Sequence, residues 1–408
     1  MSQASVLVFN CGSSSIKFAV IEPKEGTNIA MGLVQRIGSP EASIKCTMGS
    51  ETRSQELPDI DYRSALQVII DLIHNFVAAT DGIFAIGHRV VHGGEKFTHS
   101  VIINKDVLSV IRDCVHLAPL HNPANIIGIE EAMKAFPDLP QIAVFDTAFH
   151  QTMPKHAYIY PVPYELYKEN HVRRYGFHGT SHRFVCQQAA ELLGKDLKKC
   201  AFVSAHLGNG CSAASVLHGK SIDTTMGLTP LEGLTMGTRS GDVDPSLHSY
   251  LADNLGYDVH KVVDMLNKKS GLLGISGFAS DMRSIESEMQ EGNPRATLAF
   301  DVFCYRLAKY IGALIVPLGK IDALIFTGGI GENSPLVRAK TLGWLKVFGF
   351  DLDIARNDVN GKSSGGVITT EQSKVAIVVP TNEELLIARD ATDLAANLHS
   401  GDCKKVAT

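Results

Sequence analysis

The chain has 408 residues, too many for one ordinary hydrophobic core, and 45% of them are hydrophobic, enough to fill two or three. A formal net charge of -5, with acids and bases scattered along the length, leaves no basic stripe for nucleic acid or anionic lipid, so a charged ligand must be met by a local site. "MSQASVLVF" lacks the regions of a secretion signal, and no apolar run approaches the roughly 20 residues that cross a bilayer, so a cytoplasmic setting is expected.

The eight cysteines, at 11, 46, 114, 186, 200, 211, 304 and 403, form no C-x-x-C pair and read as reduced core residues. A first strand, Val6–Phe9, runs into "NCGSSSIKF", a Gly/Ser turn that returns to a second apolar strand. Such a turn can aim backbone N–H groups and hydroxyls at one anion, with Lys17 as a mobile cation and Asn10 as a neutral oxygen of the kind Mg2+ accepts. An ordinary solvated hairpin is the plain alternative. Residues 23–60 carry no interpretable motif.

A helix over Ala65–Ala79 precedes a strand at Phe84–Ile86. "GHRVVHGGEKF" (87–97) sets Arg89 at the end of that strand before a glycine pair, a context in which a guanidinium can grip a carboxylate or phosphate bidentately. Val91 is expected on the same strand face as Arg89. A strand at Ile142–Phe145 delivers Asp146 at its carboxyl end, where open α/β sheets place ligands.

"RRYGFHGTSH" (173–182) spaces His178 and His182 as zinc ligands on a helix would be, but Gly179 and the missing glutamate argue for a loop and for hydrogen-bonding histidines. A helix over His182–Leu193 leads to a strand at Ala201–Ala205 and to "HLGNG" (206–210), which repeats the logic of the first turn. "TMGTRSGDVDPS" (235–246) puts Arg239 in a loop dense with Gly, Thr and Asp, followed by helices over Val259–Leu266 and Arg295–Val316.

The strand Ala323–Phe326 ends in "FTGGIGENSP" (326–335), with Ser334 as an N-cap and Pro335 as first helical residue, a setting that favours a phosphate or ribose oxygen. Its glycines do not make a dinucleotide fingerprint, "GKS" at 219–221 lacks the leading glycine of a P-loop because position 214 is alanine, and Ser14-Ser-Ile-Lys17 lacks the companion motifs of a β-lactamase. After a strand at Val375–Val379, "PTNEELLIARD" (380–390) places Glu383 where a helix to Leu398 begins, either facing the helix dipole or anchoring the water shell of Mg2+. The tail from 399 carries no motif.

Strands and helices interspersed in this way predict an α/β protein. "VLVFNCGSSSIKFAVIE" and "FVSAHLGNGCSAASVLHGKSID" both read strand, turn, strand, as halves of a duplicated architecture would.

Taken together, "NCGSSSIKF", "GHRVVHGGEKF", "LAPLHNP", "FDTAFHQTMP", "RRYGFHGTSH", "HLGNG", "DTTMGLTPLEGLTMGTRSGDVDP", "FTGGIGEN" and "PTNEE" resemble the acetate kinase family, which includes propionate and butyrate kinases, over residues 6 to about 390. The resemblance implies two duplicated ribonuclease H-like, actin-like ATPase domains, residues 1–148 plus about 385–408 and residues 149–384, with nucleotide in the cleft between them and hinge closure in turnover. It implies a homodimer and reversible transfer of phosphate from ATP to acetate, giving acetyl phosphate and ADP with Mg2+, or Mn2+ as its alternative.

Carried over residue by residue, Asn10 and Glu383 resemble the magnesium-associated pair, Lys17 a nucleotide phosphate contact, and Arg89 the holder of the substrate carboxylate. Asp146 resembles the active-site acid, His178 and Arg239 the stabilisers of the transferring phosphoryl, and His121 a supporting residue. His206, Leu207, Gly208, Asn209, Gly210, then Asp281, Met282, Arg283, and Gly329, Ile330, Gly331, Glu332, Asn333 correspond to nucleotide-binding stretches. Val91, Leu120, Phe177 and Pro230 resemble the acyl pocket. Two rival readings remain: a kinase for propionate or butyrate, and a non-catalytic actin-like nucleotide switch, which would have no need of the carboxylate clamp at Arg89.

Overall fold

The computed structural model describes residues 5–77, 82–119 and 121–399. The chain divides into two compact units, cut between residues 149 and 150 and again between 381 and 382.

In the first unit the apolar β1 (Ser5–Cys11) and β2 (Ser15–Glu22) pair antiparallel about a three-residue tip, residues 12–14, closed by Gly12 N–H donating to Ser15 O at 2.8 Å. The meander continues through β3 (Thr27–Gln35), β4 (Ser43–Met48) and β5 (Glu51–Glu56), which occupy the stretch without motif. On the other side of β1 lie β6 (Ile83–Val90), parallel to it, then β8 (Gln141–Phe145) and the short edge strand β7 (Val101–Ile102), giving the order β5-β4-β3-β2-β1-β6-β8-β7.

The second unit repeats the plan. Here β9 (Ala201–Leu207) and β10 (Cys211–Leu217) form a hairpin about another three-residue tip, residues 208–210, and β11 (Lys220–Thr224) adds antiparallel. Beyond β9 run β12 (Ala323–Thr327) and β13 (Val375–Val378), both parallel, so the order is β11-β10-β9-β12-β13. Reading β3-β2-β1-β6-β8 beside it gives the same five-stranded sequence of three antiparallel and two parallel strands. The ribonuclease H-like arrangement is therefore present twice.

The expected strands and helices fall on observed ones, residues 78–79 of the expected helix Ala65–Ala79 lying outside the described residues. The long helix Pro294–Ile315 starts under Asn293, whose side chain accepts from Arg295 N and Ala296 N, with proline in the first turn. One helix also changes an expectation. "HGTSH" is not a loop beyond His178, because a helix runs over Gly179–Leu192 with His178 as its N-cap at φ 56°. The helix Glu383–His399 lies wholly in the first unit, whose second segment begins at Asn382.

The reason is its apolar face. Leu385, Leu386, Ile387, Ala388, Ala391 and Ala395 are buried, and the helix packs on β6 with further contact to β1, β2 and β8. Among the described residues no helix is long and apolar enough to cross a membrane. Ile387 is 1% exposed at the centre of that face. Ile387→Ala is expected to cost about 2–5 kcal/mol, read as a lowered urea midpoint, because it leaves a cavity under the last helix.

Candidate active site

Three elements of the first unit bring their ends together around one guanidinium. Arg89, next to last in β6, stands beside Asn10 of β1 in the parallel ladder. Its Nε donates to Asp146 Oδ1 at 3.0 Å and its Nη2 to Oδ2 at 2.6 Å, while Nη1 donates to Asn10 Oδ1 at 3.1 Å. Asp146 follows β8 directly, and its side chain is 2% exposed. A bidentate pair of this kind fixes the plane of the guanidinium as well as its place.

Glu383 enters from the helix Glu383–His399. Its Oε1 is buried without a hydrogen-bond partner. Burial, with Asp146 and Glu384 adding to it, outweighs the pull of Arg89 and Lys17 and pushes its pKa up to about 7. Burial alone would disfavour charge on Arg89, but Asp146, Glu383 and Glu384 overcome it and its pKa is raised. Lys17, on β2, ion-pairs with Glu384 at 2.5 Å and is 46% exposed.

Val91 is placed differently from the expectation: β6 ends at Val90, so Val91 lies in a bend past the strand, buried at 5% exposure. The bend is held by two asparagines that the residue-by-residue reading missed. Asn125 Oδ1 accepts from Val91 N at 3.0 Å, and Asn122 Oδ1 from His92 N at 3.1 Å, both from the helix Asn122–Ala135. Two amides three residues apart on the inner face of a helix were the available signal. His121 precedes that helix as its N-cap, and Leu120 lies outside the described residues.

In the second unit the histidines are tied to serines. His178 Nδ1 meets Ser212 Oγ at 2.9 Å, and the same hydroxyl meets His182 Nε2 at 2.8 Å. His182 Nδ1 meets Ser204 Oγ at 2.7 Å, and burial holds its pKa well below the usual value, helped by His150 and His206. With both ring nitrogens engaged by hydroxyls, His182 is a hydrogen-bonding residue. His206 Nδ1 meets Ser181 Oγ at 2.8 Å, and its ring lies 4.3 Å from that of His178, centroid to centroid.

Arg239 is unlike Arg89. Its Nη1 donates to Pro230 O at 3.2 Å and contacts Met236 Sδ at 3.7 Å, and among the described residues no carboxylate pairs with it. Burial therefore lowers its pKa, with Cys211 opposing weakly. A Cβ at Gly210 would stand 3.2 Å from Arg239 Nη1 and 3.6 Å from His178 Nε2. The glycine thus leaves open the space that both side chains border. Phe177, buried, precedes His178, and its carbonyl accepts from His150 Nε2 at 3.0 Å.

A cleft of about 540 Å³ in the same unit is lined by Gly208, Asn209, Ser280, Asp281, Met282, Arg283, Glu286, Gly329, Ile330, Asn333 and Ser334. Three separate glycine and helix-start segments thus meet in one place. Ser334 caps the helix Pro335–Trp344 through Val337 N, and its hydroxyl also bonds Glu286. His206, Leu207, Gly210, Gly331 and Glu332 do not line this cleft. Glu332 Oε1 instead accepts from Gly328 N at 2.9 Å and Thr381 N at 3.1 Å.

Among the described residues no group of three or more His, Cys, Asp or Glu side chains is arranged to hold a metal. Asn10 with the orphan Glu383 oxygen fits a different habit, that of Mg2+ held by one or two protein oxygens and otherwise by water and phosphate.

For an acid whose folded pKa lies above its unfolded one, the native state holds a proton that the unfolded state has lost, so stability falls as pH rises between the two values. With chelator present, urea-unfolding free energy is expected to fall from pH 5 towards pH 8 through this residue, as its pKa moves from 4.5 to about 7. Glu383→Gln is expected to remove that part of the slope, measured by the same melts.

Comparison with known proteins places this geometry. The model of the acetokinase family matches residues 5–389. The acetate kinase of Shewanella loihica is 53% identical over 396 residues, covering 97% of this chain and 100% of the relative. A propionate kinase from Francisella tularensis superposes with a TM-score of 0.91 at 45% identity, covering 96% of this chain and 100% of that one. An acetate kinase from Porphyromonas gingivalis gives 0.89 at 43%, with coverage of 96% and 99%. Matched by the family model over residues 5–389 and carrying the duplicated actin-like fold, the chain belongs to the acetokinase family.

Proposed function

We propose that the chain is an acetate kinase, moving the γ-phosphoryl of ATP to acetate and back. The observation that carries the reading is the contrast between two arginines: Arg89 is held by the Asp146 carboxylate and the Asn10 amide, whereas Arg239, half-buried beside His178, has no carboxylate partner among the described residues.

Acetate is already ionised near neutral pH, so its attacking oxygen needs no base. One lone pair forms the new P–O bond, the bond to the β,γ-bridging oxygen breaks, and its electrons leave with ADP. The chief obstacle is repulsion between a carboxylate and a triphosphate, together with the need for in-line alignment. Arg89 holds the carboxylate, and Asp146 fixes the plane of that guanidinium. His178 and Arg239 hold the equatorial oxygens of the moving phosphoryl, while the cleft at residues 208–209, 280–283, 329–330 and 333–334 takes the nucleotide. Lys17 adds a mobile charge for phosphate. Asn10 and Glu383 would hold Mg2+, which supplies charge neutralisation on the phosphates. Family membership also supports a homodimer in the cytoplasm.

Adding ATP, Mg2+ and acetate, and trapping product with hydroxylamine, tests the reading directly: acetyl hydroxamate is expected, and its absence would reduce the chain to a nucleotide switch. Arg239→Ala is expected to lower kcat by about 10^3 to 10^5, and Arg239→Lys to recover little, since lysine lacks the planar fork.

Val91, Phe177, Pro230 and Leu120 match the family positions for the acyl group, and acyl choice is assigned to them on that resemblance. One added methylene is worth about 1–3 kcal/mol, so propionate is a poorer substrate and not an excluded one. Val91→Ala is expected to raise the propionate-to-acetate ratio of kcat/KM; an unchanged ratio removes Val91 from that role.

A further inference from the structure

The β1–β6 ladder ends at the Asn10–Arg89 pair. Just beyond it, Cys11 O and Val91 N do not pair with each other, and the side-chain amide of Asn125 stands where the next rung would be. Its Nδ2 donates to Cys11 O at 2.7 Å and its Oδ1 accepts from Val91 N at 3.0 Å. Asn125 is 3% exposed, so these bonds have no water to replace them.

The helix Asn122–Ala135 is brought close enough for this by Gly128, one turn on, where a Cβ would come within 2.4 Å of Cys11 Sγ. Asn125 therefore fixes two backbone positions at once. Cys11 follows Asn10, the partner of Arg89 Nη1, and Val91 lies two residues beyond Arg89.

We propose that Asn125 is a positioning residue for the acyl substrate, acting as a side-chain rung that sets the grip of Arg89 on the carboxylate and the wall that Val91 presents to the acyl chain. This rests on the acetate kinase reading above. Asn125 touches no reacting atom; it acts through the two backbone groups. Its loss would let the strand ends part and the Val91 bend shift, and small misplacements of bound reactants are costly.

The experiment compares wild type with Asn125→Ala and with Ile129→Ala. Ile129 lies on the same helix, is 0% exposed, and makes a buried apolar control for simple destabilisation. Each protein is assayed with acetate, propionate and ATP well below its melting transition. Asn125→Ala is expected to raise the acetate KM about tenfold or more and to change the propionate-to-acetate ratio of kcat/KM, while the ATP KM stays within about twofold. Ile129→Ala is expected to lower the urea midpoint while leaving both acyl parameters near wild type.

Should Asn125→Ala fail to fold, Gly128→Ala keeps the amide and pushes the helix off Cys11, and the same acyl-specific shift is expected. The inference is overturned if the available variant leaves the acetate KM and acyl ratio unchanged, or if Ile129→Ala alters them equally. A wild-type protein that makes no acetyl hydroxamate overturns the underlying reading instead, and the two failures are distinguishable.

Discussion

Three carboxylates and two cations share the strand ends of the first unit, and only one of the pairings is geometrically saturated. Arg89 gives two N–H groups to Asp146 and a third to Asn10, so Asp146 is matched. Glu384 takes Lys17. Glu383 is left with a buried oxygen and no donor. A buried carboxylate in that position either keeps its proton or waits for a cation, and its raised pKa expresses the first alternative. The unit therefore holds one acid that its own side chains do not relieve. Water cannot relieve it cheaply either, because the helix bearing Glu383 is sealed against the sheet by Leu385 through Ala388.

The second unit has the opposite imbalance. His178, His182 and His206 meet hydroxyls, which accept or donate but carry no charge, and Arg239 meets a carbonyl and a sulfur. No carboxylate among the described residues compensates the guanidinium. The same fold, built twice, thus ends its strands in an acid-rich cluster once and in a base-rich one once. The backbone plan is common to the two hairpins, including tips of equal length, while the chemistry comes from the neighbours that each sheet receives.

Much of this was legible in the residues. Apolar runs ending in glycine, arginine or aspartate marked β1, β6, β8, β9 and β12, because buried parallel strands read as unbroken hydrophobic stretches. The meander β3–β5 was not legible: β3 alternates weakly and β5, "ETRSQE", is exposed at every position, so neither shows an apolar run. Arg89, Asp146 and Asn10 could be named from their places at strand ends. Asn122 and Asn125 could not, since their task is to satisfy backbone groups exposed only when β6 bends away at Val91. His182 was read correctly as a hydrogen-bonding residue, but not its tie through Ser212 to His178, which joins residues 30 and 34 positions apart.

An arginine is fully buried only when its donors are met, and Arg338 shows how a structural one behaves. It is fully buried and makes five hydrogen bonds, to Gly331 O, Glu332 O, Asn357 Oδ1, Asn357 O and Asn360 Oδ1, spanning Nε, Nη1 and Nη2. That uses the whole fork of a guanidinium. In doing so it ties down the end of the Gly328–Asn333 segment, which contributes Gly329, Ile330 and Asn333 to the cleft. Arg239 uses Nη1 alone. A half-buried guanidinium that gives one N–H to a carbonyl and has no carboxylate partner among the described residues keeps donors for an arriving anion. The contrast between the two residues, one satisfied by its own chain and the other not, is what separates a strut from a binding group here.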